Sequence, residues 1–261
     1  MVATMAGNGW AGLIVSTIRV VTKGTIESGG HEPTIFEITL STSIYFFISC
    51  FFVFLCFVSF FFAWRSKFVQ YYYLKSLENE KPEGIVEDVK KEPFYKSIWS
   101  ITTKMWTFEV YVFANFIITL GLFPGTIFAF RSVYGTTMQN WLPIILGLVF
   151  NIGDVIGRGA PGYYLVSKRY VPYLTFSRII FVPLFLLCIK PRLITNDIIM
   201  VLIMLGMSVS NGYCSTIAMI HGPSSCSPNE RYEASTIMTF MLVFGIVMGS
   251  NLGVVLGRIY N

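Results

Sequence analysis

Seven blocks of mostly apolar residues alternate with polar joints along the chain, at roughly 1–22, 37–63, 106–130, 141–166, 173–190, 198–220 and 233–257. Each is near the about 20 residues that carry a helix across a bilayer. The pattern predicts an all-α polytopic membrane protein with about seven transmembrane helices. The second block, IYFFISCFFVFLCFVSFFFAW, is aromatic on every side and is expected to face lipid broadly. The first sets Gly7, Gly9 and Gly12 beside Ala6 and Ala11, small residues that let another helix approach closely. Residues 23–36 read as a loop, and residues 64–104, rich in Lys, Glu, Pro and Gly, as a long, solvated and partly disordered one. The chain therefore divides into a two-helix part at 1–63, the 64–104 loop, and a five-helix bundle at 105–261.

Composition sharpens the membrane reading. The 261 residues are 54% hydrophobic and only 13% charged, whereas a soluble domain carries about a quarter charged residues. The net charge of +5 lies mostly in the joints and does not point to nucleic acid. Cys50, Cys56, Cys188, Cys214 and Cys226 are scattered, form no metal-ligand spacing, and mostly sit in apolar runs as small hydrophobes. No metal and no cofactor is expected. The opening MVATMAGNGWAGLIVS lacks a basic start and does not read as a signal peptide. No paired carboxylates and no Ser/His/Asp set suggest an enzyme.

Lys and Arg in the joints set the orientation. One side carries eleven: Arg65, Lys67, Lys75, Lys81, Lys90, Lys91, Lys96, Lys104, Lys168, Arg169 and Arg231. The other carries five: Lys23, Arg131, Lys190, Arg192 and Arg258. The N-terminus and the 64–104 loop are thus expected in the cytoplasm and the C-terminus outside; the plasma membrane is the expected place of residence, which the count itself does not select.

The fourth block contains the sequence NIGDVIGRG, with Asp154 and Arg158 one helical turn apart. Residues at i and i+4 share a face and can pair. Each charge in a span costs at least about 2.5–3.5 kcal/mol, so neither is expected to face lipid. Asn151 joins the same face, Gly147 lies one turn earlier, and Gly157 and Gly159 flank the arginine. One reading is a structural lock between helices. The other is a substrate site, in which the carboxylate accepts from sugar hydroxyls or a base N–H while the guanidinium donates. Elsewhere, Phe123–Pro124 reads as a mid-helix kink beside a cavity or as a packing kink. Ser208, Ser210 and Asn211 read as polar glue between helices. Arg19 and Arg178, near span ends, read as snorkelling, and His221 as a loop residue at a helix end. Gly245, Gly249 and Gly253 form a stripe expected to pack on another helix.

These motifs together resemble the equilibrative nucleoside transporter family (solute carrier 29 type). AGNGWAG is similar to the glycine motif of the family's fifth helix, and NIGDVIGR to the Asn-x-x-Asp-x-x-Gly-Arg of its eighth. SRIIFVPLFLLC resembles its ninth helix, SNGYCSTIAMIHGP its tenth, and EASTIMTFMLVFGIVMGS its eleventh. The resemblance covers essentially the whole chain, in order. It implies part of a major-facilitator-like eleven-helix fold, with facilitative transport of nucleosides, or possible nucleobases, by alternating access. Asp154 and Arg158 are implied to bind nucleoside, mostly its ribose, with Asn151 and Phe123 beside them. Ile246 is implied in selectivity. Gly7, Gly12, Pro124, Gly245 and Gly249 are implied in helix packing and transport. Gly147 departs from relatives that carry an aromatic there. The chain starts at the family's fifth helix, so a truncated transporter is expected, one that looks for its missing N-terminal helices or another chain as partner besides nucleoside and lipid. A proton-coupled carrier and a non-transporting fragment or partner subunit stay open. The Asp154–Arg158 pairing weighs against the first, because an opposite charge favours the ionised carboxylate. A seven-helix receptor of the common sensory type would place the N-terminus outside, against the cation count.

Overall fold

The computed structural model describes residues 2–27, 34–80 and 94–260. Among these residues there are helices and turns and no strand. The chain divides into two compact units, Val21–Phe94 and a larger one made of Met1–Val20 with Tyr95–Asn261. Helix α1 (Val2–Ile26) runs from the larger unit into the smaller.

The smaller unit is built on α2 (Ile35–Arg65) and α3 (Lys67–Glu80). Thr34 and Glu37 cap α2 reciprocally: the Thr34 N–H donates to Glu37 Oε2 at 2.8 Å, and the Glu37 N–H to Thr34 Oγ1 at 3.3 Å. Beyond that first turn α2 is apolar on all sides, and Phe46, Phe47, Phe54 and Phe62 are exposed on this unit. Buried Ser41 donates to Glu27, which also meets Lys23 at 3.4 Å.

The expected long loop is helical on both flanks. Residues 67–80 form α3, and α4 (Phe94–Leu122) begins well before residue 106; residues 81–93 lie outside the described residues, as do 28–33 of the first joint. FVQYYYLKSLE contains neither Gly nor Pro, and averaging composition across the whole segment hid this local helix former.

The larger unit adds α5 (Thr136–Gly159), α6 (Val171–Ser177), α7 (Phe181–Ile189), α8 (Asp197–His221) and α9 (Arg231–Tyr260). Among the described residues, six segments are long and apolar enough to cross a membrane: Ile35–Arg65, Lys96–Ala129, Thr136–Gly162, Lys168–Ile189, Asp197–Ser225 and Pro228–Tyr260. The seventh expected span, α1, is a 25-residue helix outside that set. Asn8, its glycines and Arg19 dilute its apolar content.

Two of the expected spans are broken by proline. Pro124 does not kink a continuing helix. Instead α4 ends at Leu122, and a turn leads into a 3₁₀ segment, Ile127–Ala129. A residue before proline is pushed out of the α region and the proline offers no N–H, so termination wins over kinking. The fifth span tightens into a 3₁₀ turn at Arg178–Ile180, between α6 and α7. Pro183 has no N–H to give the Ile179 carbonyl four residues back, and the Phe181 N–H bonds to the Arg178 and Ile179 carbonyls.

Glycines set two close helix crossings. A Cβ on Gly157 would stand 2.1 Å from the Val209 carbonyl oxygen, and one on Gly212 2.2 Å from that of Asp154, so α5 and α8 touch backbone to backbone. On α9, Gly245, Gly249 and Gly253 lie against Phe113, Phe116 and Leu120 of α4 in the same way, with an added Cβ 3.0, 2.7 and 2.4 Å from those carbonyl oxygens. Two apolar clusters fill the rest. One gathers Leu142, Leu146, Phe185, Met200 and Met204; the other gathers Ile101, Met105, Val112, Ile217 and Met238. Asn115 and Thr119 of α4, and Ser208 and Asn211 of α8, fall where the stretches that feed these two clusters meet.

Candidate functional site

That intermediate polar layer is organised around Asp154. Its Oδ2 accepts from Arg158 Nε at 2.6 Å, and its Oδ1 from Asn211 Nδ2 at 2.8 Å. Both charged residues are buried, at 5% and 7% exposed, so the pair is enclosed by protein and not presented to lipid. Burying an ion pair is tolerated when its remaining donors and acceptors are satisfied. Here each carboxylate oxygen has a donor, while the guanidinium's terminal nitrogens are less well served. Arg158 Nη1 reaches only the Met5 sulfur, at 3.8 Å, and Nη2 makes no hydrogen bond among the described residues.

The face that carries the pair is covered by α1. A Cβ on Gly9 would meet Arg158 Cδ at 3.1 Å and Val155 at 3.2 Å, and one on Gly12 would meet Asn151 Oδ1 at 2.2 Å. Gly7, by contrast, has nothing within 4 Å of an added Cβ, so the approach of α1 to α5 runs through Gly9 and Gly12. Gly7 points away from that contact because it lies two residues from Gly9, on another side of the helix. Gly147 also has open space around it. Asn151 donates through Nδ2 to the Gly147 carbonyl at 2.9 Å, leaving its Oδ1 turned towards α1.

Phe123, in the turn that ends α4, stacks on Phe150 with ring centroids 4.2 Å apart, so an aromatic plate adjoins the residue before Asn151. Exposed Pro124 follows it, and an added Cβ on Gly125 would come 2.3 Å from the Gly253 carbonyl. Ile246 is half-buried on α9 beside Gly245, whose own neighbours are Phe113 and Phe116.

Behind Asp154 the layer continues through residues that sequence reasoning missed or misjudged. Arg178 does not snorkel: it is 1% exposed and donates into the bundle. Its acceptors are Asn115 Oδ1, the Asn115 carbonyl at 3.0 Å, Thr119 Oγ1 at 2.7 Å, Ser210 Oγ at 3.0 Å and the Met207 carbonyl at 3.3 Å. Asn115 Nδ2 and Thr119 Oγ1 in turn donate to Asn211 Oδ1, at 2.9 and 2.8 Å. The available signal was the spacing of Asn115 and Thr119, one turn apart on an otherwise apolar helix. His221 is likewise no exposed loop residue. It is the last residue of α8, buried, with a ring nitrogen 2.7 Å from the Val166 carbonyl. Among the described residues no group of three His, Cys, Asp or Glu could hold a metal ion.

A deeply buried carboxylate–guanidinium pair, with an open guanidinium nitrogen, an amide and an aromatic plate nearby, can engage a neutral polar solute bearing hydroxyls and a ring. Comparison with known proteins supplies an independent view. A family profile described as "Nucleoside transporter" matches residues 1–257. The chain is 33% identical to equilibrative nucleoside transporter 2 of Homo sapiens over 187 residues, covering 67% of this chain and 41% of that protein. It is 29% identical to equilibrative nucleoside transporter 1 of Homo sapiens over 280 residues, 94% of this chain and 59% of that protein. Similarity to equilibrative nucleoside transporter 4 of Danio rerio is 26% over 304 residues, 94% and 56% of the two chains. The chain spans about half the length of the curated relatives it matches.

Proposed function

The chain belongs to the nucleoside transporter family, and from that premise we propose that it binds nucleosides at Asp154 and Arg158 and takes part in their facilitative passage across a membrane. The observation that carries this reading is the buried ion pair in the last turns of α5, covered by the glycine face of α1. Ribose hydroxyls both donate and accept, which suits a carboxylate whose neighbour has a free N–H. The open Arg158 Nη2 is the first contact proposed for the sugar, with Asp154 and Asn151 Oδ1 beside it. The Phe123–Phe150 stack offers the base a flat apolar surface. Ile246 is assigned a part in selectivity, and Gly12, Pro124, Gly245 and Gly249 in the packing that transport requires; Gly7 is left with a lipid-facing or partner-facing position.

The protein is multi-pass in the membrane. We assign it to the plasma membrane, as the resemblance suggests, and from the eleven-to-five distribution of cations we place the N-terminus and the 64–104 segment in the cytoplasm and the C-terminus outside. A cysteine introduced at position 260 should label from outside and one at position 85 should not; the reverse pattern contradicts the orientation. The named relatives are transporters, which points away from an enzyme.

The test is equilibrium binding of labelled adenosine and uridine to the chain in lipid nanodiscs. Saturable binding, displaced by unlabelled inosine more effectively than by ribose-free adenine, is expected. Absence of saturable binding by a correctly folded chain contradicts the proposal. Equal displacement by adenine would move recognition from the ribose to the base.

A further inference from the structure

We propose that Arg178 is a positioning residue: it orients Asn115 and Thr119 so that both can hold Asn211, which in turn donates to Asp154, and so it helps keep that carboxylate in place. The inference rests on the reading of Asp154 as a nucleoside contact.

A guanidinium is donor-only and a carboxylate is acceptor-only. Between Arg178 and Asp154 stand two amides, Asn115 and Asn211, and one hydroxyl, Thr119. Arg178 Nη1 faces the Asn115 side chain, so Asn115 must turn its oxygen to the arginine. Its Nδ2 then faces Asn211 and must find an acceptor there, which is Asn211 Oδ1 at 2.9 Å. Thr119 accepts from Arg178 Nη2 at 2.7 Å, which leaves its single hydrogen to go outward, to Asn211 Oδ1 at 2.8 Å or to the Asn115 carbonyl at 2.9 Å. With its oxygen held on that side, Asn211 has only Nδ2 to present to Asp154 Oδ1, at 2.8 Å. The two amide links have one allowed direction each because the two ends of the chain are fixed chemically.

Without Arg178 the first amide loses its orienting donor. Asn115 can then rotate and Thr119 can turn its hydrogen to the Asn115 carbonyl, so the donors that hold Asn211 Oδ1 are lost and Asn211 is kept in place only by its own bond to Asp154. Arg178 also stands where the fifth span narrows to a 3₁₀ turn between α6 and α7, and all its acceptors are neutral. Its charge is therefore not spent on a counter-ion of its own. It acts on the layer through the hydrogen bonds it directs.

The chain contains three aspartates, Asp88, Asp154 and Asp197, so carbon-13 labelling of aspartate isolates the Asp154 carboxylate stretch in the infrared, with Asp154→Asn as the subtraction control. The protein is measured whole, in lipid, without substrate. Arg178→Met is expected to shift the Asp154 band as Asn211→Ala does, and the double variant is expected to shift it no further. A second route leaves Arg178 in place and cuts both links at once, Asn115→Leu with Thr119→Val, and the same shift is expected. Labelled adenosine should bind about tenfold more weakly to each variant, the loss of one hydrogen bond to a charged group. An unchanged Asp154 band in Arg178→Met, or shifts that add in the double variant, overturns the relay. If Arg178→Met does not fold, the Asn115→Leu/Thr119→Val protein decides alone, and an unchanged band there overturns the proposal. If the bands move as stated while the unaltered chain binds no adenosine, the relay stands and the nucleoside reading of the site falls.

Discussion

Helices α5 and α8 cross on Gly157 and Gly212, and α4 and α9 cross on Gly245, Gly249 and Gly253, with similar backbone proximity. Yet the first crossing contains the charged layer and the second does not. The difference lies in what stands next to each glycine. Beside Gly157 and Gly212 are Asp154, Arg158 and Asn211, all buried. Beside the α9 glycines are Phe113, Phe116 and Leu120, with Phe113 also stacked on Phe244 at 5.2 Å. Glycine therefore supplies the close approach in both places, and its neighbours decide whether the seam is only packed or also polar. At the polar seam, an error of packing is also an error in the position of a carboxylate.

Substitutions at the two seams can break this contrast. The largest effect is expected at Gly212→Leu, whose side chain would meet the Asp154 carbonyl and the backbone of Gly157; the protein should fail to accumulate in the membrane, read by surface biotinylation. Gly212→Ala is a milder version. It should cost about 1–3 kcal/mol of stability from overpacking and weaken adenosine binding at least about tenfold, because the displaced atom belongs to Asp154 itself. Gly249→Ala should cost a similar amount of stability, since an added Cβ would lie 2.7 Å from the Phe116 carbonyl, but leave binding within about threefold. Thermal unfolding and binding measured on the same two proteins test the contrast, and equal losses of affinity would erase it. The smallest effect is expected for Phe54→Leu on α2, exposed on its unit; such a lipid-facing apolar exchange should change stability by less than about 0.5 kcal/mol.

How far the sequence discloses this arrangement depends on how local each feature is. The Asp154–Arg158 ion pair is legible because an i, i+4 spacing in an apolar run leaves the two charges on one face. The all-round aromatic α2 is legible for the same reason: its pattern has no polar stripe to hide. Arg178 was misjudged because a lone arginine near a span end reads as snorkelling until its partners are known, and those partners come from α4 and α8. Asn115 and Thr119 were silent because a single amide or hydroxyl in a membrane helix often bonds locally, as Thr119 also does. Pro124 was assigned to a kink because the sequence shows the missing N–H but not whether the chain resumes its helix afterwards. The helical flanks of the 64–104 segment were hidden by a composition taken over the whole stretch.

The central claim is that Asp154 contacts the nucleoside and does not merely lock α5 to α8. The direct measurement is adenosine and uridine binding by Asp154→Ala in nanodiscs, taken beside surface expression and thermal stability of the same variant. The account predicts protein that reaches the membrane and unfolds cooperatively, with binding lost, while Arg158→Lys, which keeps the charge but not the planar pair of donors, binds at least about tenfold more weakly. Binding by Asp154→Ala at the level of the unaltered chain would contradict the claim, and the ion pair would then be a lock between helices.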